Sequence, residues 1–223
     1  MRIRRKRNFS ERFDLIKDYV IVAERDILNQ KEAIKDKKYL DYTKIFNNDN
    51  PVSIEVGCGK GGFIIELAKK FPNKNFIAVE LLENIILMAA ENAKKENLKN
   101  LIFFNSGADY LPRYIMPNSV ENIFLNFSPP YPGKSYENRR LTYAPLVDFY
   151  YSVLKDDGSL YQKTDDVGLF EYSLQNLRNG GFTVKEVSDI IESVEYLNIP
   201  TEYETKFRNL GIKINALVAK KSL

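Results

Sequence analysis

The amino-acid sequence predicts an α/β fold: an open, mostly parallel, twisted sheet covered by helices on both faces. Two observations carry this. From residue 51 onward, short β-branched or aromatic runs alternate with segments of helical periodicity, the pattern of strand–helix–strand units. A cluster of glycines follows directly on the first of those runs, where such sheets turn into a helix around a ligand. The chain has 223 residues, 44% of them hydrophobic, which is enough for one sizeable core.

The elements follow in order. Residues 1–50 are polar and are expected to form a basic, partly helical extension, with Phe13, Leu15 and Ile16 as its apolar contact. Residues 51–223 are expected to form the main domain. Val52–Val56 is its first strand, and 63–70 the first helix, closed by Pro72-Asn73. Residues 76–79, 101–104 and 122–127 predict the next three strands, with a helix over 84–96. Residues 143–154 present an aromatic-aliphatic helical face. A strand over 158–163, a helix over 169–179, a strand over 182–187 and a final alternating strand over 212–219 complete the pattern. Ligands of such sheets sit beyond the C-terminal ends of the strands.

Composition narrows the chemistry. Charged residues are 28% of the chain and mixed in sign, which fits a globular protein and not a disordered one. The net charge is only +3, but residues 1–7 hold five cations, Arg2, Arg4, Arg5, Lys6 and Arg7. Such a cluster can neutralise phosphates, and its plain alternative is a solvated terminus. No apolar stretch follows it as a signal peptide requires, and none approaches the ~20 residues of a membrane span. A cytosolic protein is expected, with no membrane partner. There is no histidine, so a Ser–His or Cys–His pair is impossible, and no metal site is expected. Cys58 stands alone, excluding an internal disulfide.

Ile54-Glu55-Val56-Gly57-Cys58-Gly59-Lys60-Gly61-Gly62 joins the first strand to the first helix. Glycines there allow a tight turn and close approach of backbone to ligand. Glu80 ends the second strand, where a carboxylate can accept both hydroxyls of an adenosine ribose. This spacing suits a dinucleotide or S-adenosylmethionine. Glu55 favours the latter, because it would attract a cationic methionine moiety and repel a pyrophosphate. The plain alternative for Glu55 is an ion pair with Lys60.

Further along come Asn126-Phe127-Ser128-Pro129-Pro130-Tyr131-Pro132, Arg139-Arg140-Leu141-Thr142-Tyr143, Lys163-Thr164-Asp165, the run from Gly168 to Leu174, and Thr201-Glu202-Tyr203-Glu204 with Lys206-Phe207. With the basic start and the glycine motif, these make the chain resemble the bacterial tRNA (guanine-N7)-methyltransferase family over nearly its whole length. The resemblance implies a Rossmann-like class I methyltransferase fold with an antiparallel C-terminal strand. It also implies S-adenosylmethionine as donor and a variable-loop guanosine of tRNA as acceptor. Glu55 and Glu80, with Gly57, Gly59, Gly61, Ser106 and Asn126, would bind the donor. Asp165, Ser128 and Tyr131 would stand at the reaction centre. Asp165, Thr201, Glu202, Tyr203, Glu204 and Lys134 would meet the guanine side, and Arg139, Arg140, Arg4, Arg5 and Arg7 the RNA. A monomer or homodimer is expected. The plain alternatives are a helix cap for Asp165 and solvated surface acids for Glu202 and Glu204.

The chain departs from the family at the acceptor motif. Where the family usually has Ser-Asp-Pro-Trp-Pro-Lys, this chain has Ser128-Pro129-Pro130-Tyr131-Pro132-Gly133, so Pro129 replaces the aspartate and Gly133 the lysine. A further donor-site acid aligns with Ser106. Ser128-Pro129-Pro130-Tyr131 is also similar to the motif of enzymes that methylate amino groups of cytosine or adenine. A retargeted amino-group enzyme and a catalytically weak tRNA-binding relative are therefore the alternatives.

Overall fold

The computed structural model describes residues 7–24 and 30–221. Strands β1 (Val20–Val22), β2 (Val52–Val56), β3 (Asn75–Glu80), β4 (Leu101–Asn105), β5 (Val120–Asn126), β6 (Leu154–Thr164), β7 (Phe182–Glu186) and β8 (Asn215–Lys221) form one sheet. Its order is β1-β4-β3-β2-β5-β6-β8-β7. Pairing is parallel from β1 across to β6. β8 runs antiparallel to both of its neighbours, β6 and β7.

The helices are α1 (Phe9–Asp14), α2 (Gln30–Ala33), α3 (Tyr42–Phe46), α4 (Gly62–Lys70), α5 (Glu83–Lys95), α6 (Leu111–Tyr114), α7 (Ala144–Val153), α8 (Val167–Asn179) and α9 (Glu202–Asn209). Side chains alternate across the strands and so feed two cores. Phe76 and Ala78 of β3 pack with Phe63, Ile64 and Leu67 of α4 and Ile86 and Ala90 of α5. Ile77 and Val79 pack with Val147 and Tyr150 of α7 and Leu174 and Leu177 of α8. β2 is buried at all five positions, as expected of a strand covered on both sides.

The chain leaves β2 toward β3 and β4, then returns to the other side of β2 with β5 and β6. The switch point therefore lies at the C-terminal ends of β2 and β5, the place where sheets of this topology take their ligands. Among the described residues no helix is long and apolar enough to cross a membrane.

The N-terminal segment does more than the sequence suggests. Val20-Ile21-Val22 adds β1 to the sheet, against Phe103, Phe104 and Asn105 of β4. Three residues inside a polar stretch carry too little periodicity to be read as a strand. The final strand starts at Asn215, three residues later than its alternation suggests.

Candidate functional site

Glu55, Asn126 and Lys163 lie near the C-terminal ends of β2, β5 and β6, on the sheet face that α4 covers. Glu55 is 2% exposed. Its Oε1 accepts from Asn126 Nδ2 at 2.9 Å, while its Oε2 is buried without a partner among the described residues. Burial pushes the Glu55 carboxyl up to about 7, against the Asn126 hydrogen bond and the positive charge of Lys163, and with a small push from Glu80. The ion pair with Lys60 does not form: Lys60 Nζ lies 3.8 Å from Glu202 Oε2 instead.

The glycine turn is built as its sequence suggests. Gly57, Gly59 and Gly61 all have positive φ. The need is plain at Gly61, where φ is 82° and a Cβ would stand 3.2 Å from that of Ala89. Glu80, at the end of β3, accepts from the Gly59 N–H at 3.3 Å and the Leu82 N–H at 2.8 Å. It thus braces the turn. Ser106 is buried just beyond β4, where its N–H donates to Glu80 O at 3.2 Å and its hydroxyl to Gly107 O.

The loop after β5 turns through two left-handed residues that are not glycine, Phe127 (φ 48°) and Tyr131 (φ 43°). Strained backbone of this kind persists where surrounding contacts enforce it. At Tyr131 it is Arg140 that supplies that enforcement. Its guanidinium donates to Pro130 O at 3.1 Å and to Tyr131 O at 3.1 and 2.8 Å, and it lies 4.3 Å over the Tyr172 ring. Arg140, expected on the RNA, is thus committed to the protein's own loop. Arg139 is exposed beside the Tyr136 ring, and Lys134 is exposed at the start of the same 3-10 turn. Ser128 and Tyr131 are half-buried.

Asp165 follows β6 directly, half-buried, and makes no hydrogen bond or ion pair among the described residues. The cap of α8 is its neighbour Asp166, which accepts from the Leu169 N–H at 2.7 Å, so the capping alternative passes to the next residue. Thr201 caps α9 through the Glu204 N–H at 2.9 Å. Glu202 is exposed, and its side chain lies against Gly62 at the start of α4. The Tyr203 ring is 60% exposed and near-parallel to that of Phe127, with centroids 6.4 Å apart.

Glu204 requires a correction. It is 1% exposed, and its carboxylate is taken by Lys163 at 2.5 Å and by Arg208 at 2.9 and 3.0 Å. It is neither a solvated acid nor free to meet a base. Lys163, known from the sequence only as part of the Lys163-Thr164-Asp165 run, is a buried site residue whose signal was a lysine inside a predicted strand. Arg7 is exposed ahead of α1. Arg2, Arg4, Arg5 and Lys6 lie outside the described residues. Among the described residues no group of His, Cys, Asp and Glu could hold a metal ion.

A family model described as "Putative methyltransferase" matches residues 49–217, more than half of the chain. The tRNA (guanine-N(7)-)-methyltransferase of Clostridioides difficile strain 630 is 37% identical over 222 residues, covering 99% of this chain and 99% of the relative. The protein of the same name from Bacillus subtilis strain 168 is 43% identical over 171 residues, covering 76% and 80%. Among solved structures, the 16S rRNA methyltransferase KamB matches with a TM-score of 0.63 at 14% identity, covering 84% of this chain and 96% of its own. A likeness at that identity speaks to the fold alone. Identity of the extent found in the first two relatives, along most of both chains, reflects common descent, and the chain belongs to the tRNA (guanine-N(7)-)-methyltransferase family.

Proposed function

We propose that this protein transfers a methyl group from S-adenosylmethionine to N7 of a variable-loop guanosine in tRNA. The observation that carries the reading is the Oε2 of Glu55, buried at the switch point of the sheet with no partner among the described residues. An anionic oxygen without a partner in a dry site is costly. A cationic amino group set against it supplies the missing counterpart, so the residues present fit the donor. Asn126 fixes the other oxygen and so aims the carboxylate. Glu80 stands where it can accept ribose hydroxyls, and its hydrogen bond to Gly59 holds the turn that would pass along the donor.

When bound, the donor supplies an electrophilic methyl on a sulfonium. Guanine N7 offers a lone pair and loses no proton in the attack, so no general base is required. What this chain must do is hold the base in line and at close range. The methylated purine is cationic. Asp165, half-buried and without an ion pair among the described residues, supplies compensating charge, and with Pro129 at the family's aspartate position this duty falls to it. Glu202 would accept from the guanine N1 and amino hydrogens, which adenine cannot offer in the same pattern. Ser128 and Tyr131 line the base side, and Lys134 and Arg139 face the RNA backbone.

The test is nucleoside mass spectrometry of tRNA incubated with the protein and S-adenosylmethionine. 7-Methylguanosine is expected. Methyl groups found only as N4-methylcytosine or N6-methyladenine, or no incorporation, would overturn the reading.

A further inference from the structure

We propose that Lys163 is the positioning residue of the acceptor half of the site, its ammonium pinning the segment that carries Thr201, Glu202 and Tyr203 to the strand end that carries Asp165. The inference rests on the reading above for what the site does, but not for its geometry.

Lys163 is fully buried near the end of β6, two residues before Asp165. Its Nζ donates to Ile199 O at 2.8 Å, Leu197 O at 3.3 Å and Glu204 Oε2 at 2.5 Å. An ammonium has three protons, and here each has an acceptor. Two acceptors are carbonyls just before α9, and the third lies in its first turn. One side chain thus grips Thr201–Tyr203 from both sides. The Lys163 carbonyl also accepts from the Phe127 N–H at 2.8 Å, so the same residue fixes the start of the loop that carries Ser128 and Tyr131.

Packing alone does not call for a lysine here. Its ammonium lies 5.3 Å from the centroid of the buried Phe63 ring, and burial holds its pKa below the usual lysine value, against the pull of Glu204 and Glu55. Well-packed apolar residues often replace buried ion pairs without loss of stability. What apolar side chains cannot do is gather two carbonyls and a carboxylate at one point. Lys163 also faces Glu55, so one cation serves an acid on the donor side and an acid behind the acceptor side.

The test compares wild type with Lys163→Met, in the full chain and at a temperature where circular dichroism reports a native fold. Hydrogen exchange of amides 197–204 should quicken roughly tenfold or more while β2 and β3 stay protected. kcat/KM for tRNA should fall roughly 10- to 100-fold, in the range expected for loss of a charged hydrogen bond. S-adenosylhomocysteine, with the donor's amino group, serves as the binding probe. The polar and charged groups facing Glu55 are Asn126 of β5, Lys163 of β6, Glu80 of β3 and the buried thiol of Cys58 in the turn after β2. With only the cation removed, binding of the probe should shift to higher pH and recover in alkaline buffer.

If Lys163→Met does not fold, Glu204→Gln keeps the shape and leaves both carbonyls in place. It should quicken exchange in the same segment and lower kcat/KM for tRNA by about tenfold, with probe affinity unchanged. Folded variants with unaltered exchange at 197–204 and unaltered tRNA kinetics overturn the proposal. So does a uniform loss, in which exchange quickens across the whole sheet and donor and tRNA parameters fall by one factor. A wild-type protein that makes no 7-methylguanosine sinks the proposed function, while the exchange and probe-binding results still decide the role of Lys163.

Discussion

Glu55 accepts one hydrogen bond from Asn126 and leaves its second oxygen buried with no partner among the described residues. Its carboxyl is pushed from an ordinary 4.5 up to about 7, mainly by burial. The fold therefore prefers the protonated form. That preference stabilises the donor-free protein fully below about pH 4.5 and is lost as pH rises to about 7, a change of roughly 3 kcal/mol at most. A cationic donor prefers the opposite form. Donor affinity should rise with pH through about 7, and Glu55→Gln should both weaken binding and flatten the profile. Calorimetry across neutral pH checks this, and a flat wild-type profile sinks it. At this scale the sequence was partly legible. Glu55 and Glu80 could be placed because a strand, a glycine turn and a spaced acid define where they stand. Glu204 and Arg140 could not, since nothing in their sequence neighbourhood tells whether a charge is spent on the protein's own interior. Asp165 and Asp166 are adjacent acids, and only geometry decides which one caps α8.

Arg140 binds two successive carbonyls of the loop after β5, so the loop's shape depends on a side chain nine and ten residues further along the chain. Arg140→Met should release it. kcat/KM for tRNA is expected to fall roughly tenfold, as for other lost charged hydrogen bonds, with donor affinity little changed. Equal losses in donor and tRNA binding would mean that Arg140 serves the whole fold. The turn before α4 gives a second expectation. Gly61→Ala places a methyl in a left-handed residue and against Ala89, so stability should drop by at least roughly 1–2 kcal/mol. Denaturant unfolding measures it, and an unchanged midpoint would contradict the packing described. After residue 51 the other strands and the longer helices were legible because their runs are long enough to show a period, whereas the short α6 and the polar α9, which carries Glu202 and Glu204, were not. β1 was not, for it is three residues whose only signal is the open edge of β4.

The whole molecule carries little net charge, +3, so attraction to RNA depends on where cations cluster. Five of them fall within residues 1–7. Neutralising Arg2, Arg4, Arg5, Lys6 and Arg7 together should weaken tRNA binding. It should also flatten the slope of log affinity against log salt by up to roughly 4. An unchanged slope returns these residues to a solvated terminus. The fold class was legible from alternation, but the strand order was not, because periodicity says which residues form a strand and not which neighbour it takes. β8 makes the point. It is the last strand along the described chain, yet it lies inside the sheet, bridging β6 and β7. During synthesis, then, β6 and β7 must wait with open hydrogen-bonding edges until residues 215–221 leave the ribosome. A nascent chain stalled short of that point exposes two adhesive borders, and a chaperone has most to shield in that interval.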